Sequence, residues 1–374
     1  MFRYLGGTYL LLLLLAISPF GWAQKSKELK DPIQFGGVSA ADFASTSSSP
    51  DSAASAEILC DFGKSRIVGA KEKFQVVFER TTRIRILRKA GYEWATVQVP
   101  LYVKDSQTEE LEKLKGITYN LVGSSIVKNK LDVSTAGFKE KLDKNHRLYS
   151  FTLPNVREGS IIEFSYTIKS DFVFNLQDWQ FQYDIPVRWS EYRVTIPQFF
   201  RYKQTLRGYL PFAVNEKETV AYSTSYSEDR KDSYGSPLTS SSSNSALITT
   251  QALQCRWAVQ DAPAFREEPF MTTTRDYVRS INFELAGTDF TGTDYHDVTG
   301  TWEKITTNLQ QEELFGGVLK QNTPLAAEAQ ALQKSVTNPT ERAAAVLKLV
   351  QQRVKYNGQE RLYASQSLRK LCDQ

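Results

Sequence analysis

Cysteine, histidine and acidic side chains can run nucleophilic, acid–base or metal chemistry, and this chain of 374 residues holds only three cysteines and two histidines. Cys60, Cys255 and Cys372 form no metal-ligand spacing and are too few for a disulfide framework. A Cys60–Cys255 bridge and two separately buried thiols both stay open, with Cys372 left over in either case. His146 falls in Asp143-Lys144-Asn145-His146-Arg147, a charged turn, and reads as solvated. His296 stands beside Asp294 and Asp297, which suit a cation, yet the spacing matches no calcium loop. Phosphate-cradling glycine loops, GxSxG, HExxH and paired CxxC are absent. The sequence therefore predicts no catalytic residue, no cofactor and no metal site.

Two clusters could bind instead. Arg80, Arg83, Arg85, Arg88 and Lys89 crowd together, and strand alternation puts Arg83 and Arg85 on one face, where a polysaccharide or phospholipid headgroup would meet them. The plainer alternative is a solvated strand face that discourages edge pairing. Trp179, Phe181 and Tyr183 alternate likewise, as a row for stacking on sugar rings or as the buried side of a strand. The formal charge of +4 on a chain this size names neither nucleic acid nor an acidic polymer as partner.

The elements that must position these groups begin after an export signal. Arg3 precedes six leucines, Leu10 to Leu15, and then Pro19, Gly21 and Ala23. That order is charged head, apolar centre and small-residue exit, so residues 1–23 read as a signal peptide cut between Ala23 and Gln24. The apolar core is too short to span a bilayer, no later segment replaces it, and position 24 is not the cysteine that lipid anchoring requires. The expectation is an exported, periplasmic or secreted protein with no membrane span after cleavage.

Residues 24–56, rich in Ser, Ala, Gly and Pro, read as a flexible tether. From Glu57 the period becomes two: Phe74, Val76 and Phe78 alternate, as do Ile162, Phe164, Tyr166 and Ile168, and Tyr192, Val194 and Ile196. Short strands without intervening helices indicate antiparallel sandwich-like structure. Residues 57–200 form the first such domain and 201–300 a second, with a long polar loop from Ser223 to Ser245. Over 301–374 the period is helical, with Trp302, Ile305 and Leu309 on one face and a capped start at Asn338-Pro339-Thr340-Glu341. The fold class is mainly β: two antiparallel β-sandwich-like domains followed by a short helical bundle.

Arg83-Ile84-Arg85-Ile86-Leu87, Gly91-Tyr92-Glu93-Trp94, Leu153-Pro154-Asn155-Val156-Arg157-Glu158-Gly159-Ser160 and Asp178-Trp179-Gln180-Phe181 through Trp189-Ser190-Glu191-Tyr192 resemble an uncharacterised β-domain. That domain precedes a transglutaminase-like domain in exported bacterial proteins, and Tyr363-Ala364-Ser365-Gln366-Ser367-Leu368 is similar to the lead-in to its core. The resemblance implies that a catalytic Cys, His and Asp would follow in an active member; Cys372 lies close to the nucleophile's place but lacks the preceding glycine turn. No residue carries over as catalytic. The expected function is a non-catalytic envelope protein, a binding or scaffolding module for an envelope protein or polysaccharide. The alternatives are the amino-terminal fragment of a transglutaminase-like cysteine enzyme acting on amide bonds, and a carbohydrate-binding module.

Overall fold

The structure is a computed structural model that describes residues 29–44, 53–71, 73–229, 243–290, 295–321, 324–356, 362–364 and 367–372. The signal segment and its cut at Ala23 and Gln24 lie outside the described residues, as does Asp294. Contacts divide the chain after Asp31, and everything below concerns the unit that starts at Pro32.

Fifteen described strands carry the fold. In chain order they are β1 (Ala56–Ala70), β2 (Lys73–Ile86), β3 (Thr96–Lys104), β4 (Gln107–Val122), β5 (Ser125–Lys130), β6 (Gly137–Lys141), β7 (His146–Thr152) and β8 (Ile161–Ser170). There follow β9 (Trp179–Gln180), β10 (Val187–Pro197), β11 (Phe200–Arg207), β12 (Val214–Asp229), β13 (Ser243–Ala262), β14 (Ser280–Thr288) and β15 (His296–Asp297). Short helices α1 (Ala40–Ala44), α2 (Val133–Ala136) and α3 (Thr274–Tyr277) interrupt them, and α4 (Trp302–Gln311), α5 (Ala326–Ser335), α6 (Pro339–Arg353) and α7 (Leu368–Cys372) close the described chain. The protein is thus mainly β with its helical segment at the C-terminal end.

The larger sheet runs β12-β13-β10-β1-β2-β8-β4-β3-β7-β6, with β5 on β4. The smaller sheet runs β11-β14-β15, with β9 on β14. Pairing is antiparallel except between β1 and β10, which run parallel from Ile58↔Val187 to Arg66↔Thr195. The stretch 201–300 does not form a sheet of its own. Its β12 and β13 extend the larger sheet, because Val187 to Pro197 pair with Ala262 to Ala252, while β11, β14 and β15 build the smaller one. The polar loop expected from Ser223 is ladder as far as Asp229, which pairs with Ser243; alternating Tyr222, Thr224 and Tyr226 are strand formers that override the serine content.

One face of the larger sheet is the main core. Ile58, Ile67, Phe78, Ile84, Ile162, Phe164, Tyr192, Val194 and Trp257 point into it. Above them lie β3 and β7, where Phe151 meets Phe164 edge-on at 5.9 Å, and the smaller sheet, where Phe283 meets Trp257 at 6.1 Å. This gives the sandwich-like layering that a two-residue period demands. Helices α4, α5 and α6 bury no residue. Trp302, Ile305 and Leu309 do not close a face against the β-structure: Trp302 is 80% exposed. Asn338 does cap α6, accepting from the backbone N–H of Thr340 at 2.9 Å.

Candidate functional site

Local register decides which face each charged group serves. Between Ile58 and Cys60 the β1–β2 register shifts by a bulge. Side chains alternate along a strand, so an extra residue inverts the faces beyond it. Asp61 and Gly63 therefore join Ile58 on the core side, whereas Cys60 and Phe62 turn to the outer face beside Trp189.

On the core side Asp61 is fully buried and forms a fork with Arg80, Nε donating to Oδ1 at 2.9 Å and Nη2 to Oδ2 at 2.7 Å. Thr82 and Tyr183 hydroxyls complete the carboxylate at 2.7 and 2.9 Å, and the Arg80 guanidinium lies over the Trp179 ring at 5.0 Å. Burial and then the Asp61 charge push the Tyr183 phenol well above its usual value, so it stays a neutral donor. Removing one member of such a pair costs about 3–5 kcal/mol, because the other charge is left unmatched in the core.

The outer face is polar and partly covered. Glu163 on β8 has no exposed surface and accepts from Arg83 Nη2 at 2.7 Å, from the Tyr119 hydroxyl at 2.9 Å and from the Gly36 backbone N–H at 2.7 Å. Arg83 Nη2 also donates to the Gln34 carbonyl at 3.2 Å, and Arg85 Nη2 to the Phe43 carbonyl at 2.8 Å. Next along the face, buried Glu191 binds Arg193 at 2.7 Å and Arg256 at 2.9 Å and accepts from the Trp189 indole N–H at 3.0 Å. Glu57 pairs with Arg188 at 2.8 Å. Desolvation, with the neighbouring Asp61 charge second, pushes the Cys60 thiol up to about 12 against a smaller opposing pull from Arg83. A thiol raised so far stays protonated at neutral pH, which slows its attack on any electrophile.

What covers this face is a strap, residues 32–44, within the stretch expected to be a tether. Ile33 packs with Cys60, Phe62 and Trp189; Val38 and Phe43 pack with Ile117, Tyr119 and Ile161. Each buried anchor of this kind contributes about 1.5–3 kcal/mol relative to exposure, enough to hold a segment whose composition is otherwise polar and small. Gly36 adopts φ +90°, and Ser39 N–H closes the following helical turn on Asp42 Oδ2 at 2.7 Å.

The four candidate binding residues take these places. Arg83 and Arg85 do share a face, as alternation requires, but that face is the strap's bed and Arg83 is only 12% exposed. Trp179 and Phe181 are core residues at 3% and 0% exposure; the Trp179 ring stacks on Tyr192 at 5.0 Å and its N–H donates to Ser190 Oγ at 3.0 Å. A sugar has no access to these rings, which removes the carbohydrate row; their alternation follows the core instead. The buried acids Asp61, Glu163 and Glu191 escaped notice because, in sequence, each looks like the polar half of a strand alternation. Cys60 and Cys255 are free buried thiols. Among the described residues no group of three or more His, Cys, Asp or Glu side chains could hold a metal, and no helix is long and apolar enough to cross a membrane.

The described residues include open cavities of modest size. One of about 400 Å³ lies between β11 and β13, lined by Phe200, Tyr202, Gln204, Gln251 and Leu253; one of about 300 Å³ is lined by Glu93, Trp94, Thr96 and Asp184.

No curated protein matches the chain. Among solved structures, a chain from Parabacteroides distasonis described as a "putative protease" is similar with a TM-score of 0.50 at 13% identity, over 80% of this chain. The match spans about half of that longer neighbour, 51% of its length, and at this identity it speaks for the fold alone. Within the sequence itself, residues 72–232, from β2 to just beyond β12, match a domain of unknown function for which a structure has been solved, DUF3857.

Proposed function

We propose that this chain is a non-catalytic, exported envelope protein whose β-structure is a binding or scaffolding module. The observation that carries this is the state of its chemistry-bearing groups. Asp61, Glu163, Glu191 and Glu57 each serve a buried or half-buried arginine, and Cys60 is a protonated thiol under the strap. Groups engaged in this way hold strands together and have no lone pair or thiolate to offer a substrate. In contrast, the helical segment shows apolar side chains to solvent, Trp302 at 80%, Leu319 at 90% and Leu347 at 59%, as a docking element does. The test is an amide hydrolysis and cross-linking assay on the purified chain with and without iodoacetamide. No thiol-dependent turnover is expected; turnover that the alkylating agent abolishes would overturn the proposal.

A second reading is favoured by the exposed helices. It makes this chain the amino-terminal portion of a transglutaminase-like cysteine enzyme acting on amide bonds, the helices packing on a catalytic core supplied elsewhere. Sequencing the coding DNA beyond residue 374 decides between them, since a continuation with Cys, His and Asp motifs supports the second reading.

A further inference from the structure

The strap is bound to the larger sheet as a peptide is bound to a receptor. It contributes no strand to either sheet, so no ladder depends on it. Its apolar anchors Ile33, Val38 and Phe43 sit in two small clusters separate from the main core, so the core is complete without them. Its polar contacts are made chiefly through its backbone: Glu163 takes the Gly36 N–H, Arg83 holds the Gln34 carbonyl and Arg85 holds the Phe43 carbonyl, with one long side-chain ion pair, Asp42 to Arg83 at 3.9 Å. Backbone contacts give affinity without naming side chains, and specificity comes from pockets at fixed spacing. Here the pockets are Cys60, Phe62 and Trp189 around Ile33, and Ile117, Tyr119 and Ile161 around Val38 and Phe43.

We propose that the outer face of the larger sheet, from Trp189 across Arg83 and Glu163 to Tyr119, is a peptide-recognition groove held closed by residues 32–44 as a cis-bound ligand. The partner it receives when the strap leaves is a segment of another envelope protein with the strap's own chemistry. That chemistry is an aliphatic residue, a glycine turn three positions on, a second aliphatic residue directly after the turn, and an aromatic five positions later. The groove recognises a peptide backbone, because buried Glu163 and half-buried Arg83 present an acceptor and a donor to the Gln34–Gly36 turn and half-buried Arg85 presents a second donor at the Phe43 carbonyl. This inference rests on the binding-module proposal and names its site and ligand class.

Gly36 supplies the test, since its φ of +90° strains any other residue while a β-carbon there would meet nothing within 4 Å. The Gly36→Ala change therefore loosens the strap without a clash. The probe is a fluorescein-labelled synthetic peptide of residues 32–44, titrated by polarisation against the full chain. The Gly36→Ala chain is expected to bind it up to about tenfold tighter than the unaltered chain, and a peptide carrying the same change about tenfold more weakly. Phe43→Ala opens the strap by a different route and must act in the same direction. Alkylation of Cys60 is expected to quicken in both variants and to slow again at saturating peptide.

Absence of saturable binding to a Gly36→Ala chain with native circular dichroism overturns the proposal. So does a concentration-dependent dimer in light scattering that excludes the peptide, which would make a second copy the occupant. Either failure is distinct from thiol-dependent amide turnover, which would instead remove the binding-module proposal beneath it.

Discussion

Asp171, just past the end of β8, shows how single charges tune this sheet. Burial pulls its carboxyl upward, but hydrogen bonds from Lys73 and Gln75 and the Lys73 charge win, holding it below its ordinary value of 3.8. The ammonium lies at 2.6 Å and the Gln75 amide donates at 2.7 Å. A depressed carboxyl stabilises the fold above its unfolded value and loses that contribution as pH falls through the folded one. Asp171→Asn is therefore expected to lower the urea midpoint at neutral pH, with the gap to the unaltered chain closing below about pH 4. A gap that stays constant across that range would show the loss to be steric. Spacing could suggest that residue 171 ends a strand, but not that Lys73, almost a hundred residues earlier, faces it. The same holds for Arg83 and Glu163, whose register only β2–β8 pairing creates.

At the scale of elements, β1 carries the least legible feature. Its neighbours announce themselves: β2 and β8 alternate apolar and polar residues, and Asn338-Pro339 starts α6 where cap chemistry says it must. The bulge between Ile58 and Cys60 has no comparable signature, yet it decides that Asp61 enters the core and that Cys60 faces the strap. Downstream of it Gly63 lies directly beneath the indole of Trp179, where a β-carbon would stand 2.3 Å from Cζ3. That ring is clamped by Tyr192 and Ser190 and cannot retreat. Gly63→Ala should cost about 1–3 kcal/mol by overpacking, read as a lower denaturation midpoint at unchanged slope. An unchanged midpoint would show that the indole does move.

Over the whole molecule, stability is distributed unevenly. The β-structure between Ala54 and Leu285 contains nearly all the buried apolar residues, whereas α4, α5 and α6 bury none and are held by contacts such as Arg353–Glu328 at 3.0 Å. Exposed ion pairs of that kind contribute about 0–1 kcal/mol. Segments with few buried contacts open first. Limited trypsin digestion is accordingly expected to remove the region from Trp302 onward well before it cuts the strands, and mass spectrometry of the resistant fragment checks the order. Cleavage within β2 or β8 at the same rate would contradict it.

The sequence by itself determined the β class, the helical character after Thr301, the core alternation of β2, β8 and β10, and the scarcity of catalytic residue types, because period and composition are local properties. Only the tertiary structure decided the rest. Two stretches that read as successive domains share one sheet, since strand pairing between β10 and β13 leaves no local trace. A run that reads as tether becomes a strap, since three apolar anchors find pockets built from distant strands. The aromatics that looked available for ligands are consumed in the core and the arginines lie beneath the strap, because whether a strand face is free depends on what the remainder of the chain lays over it.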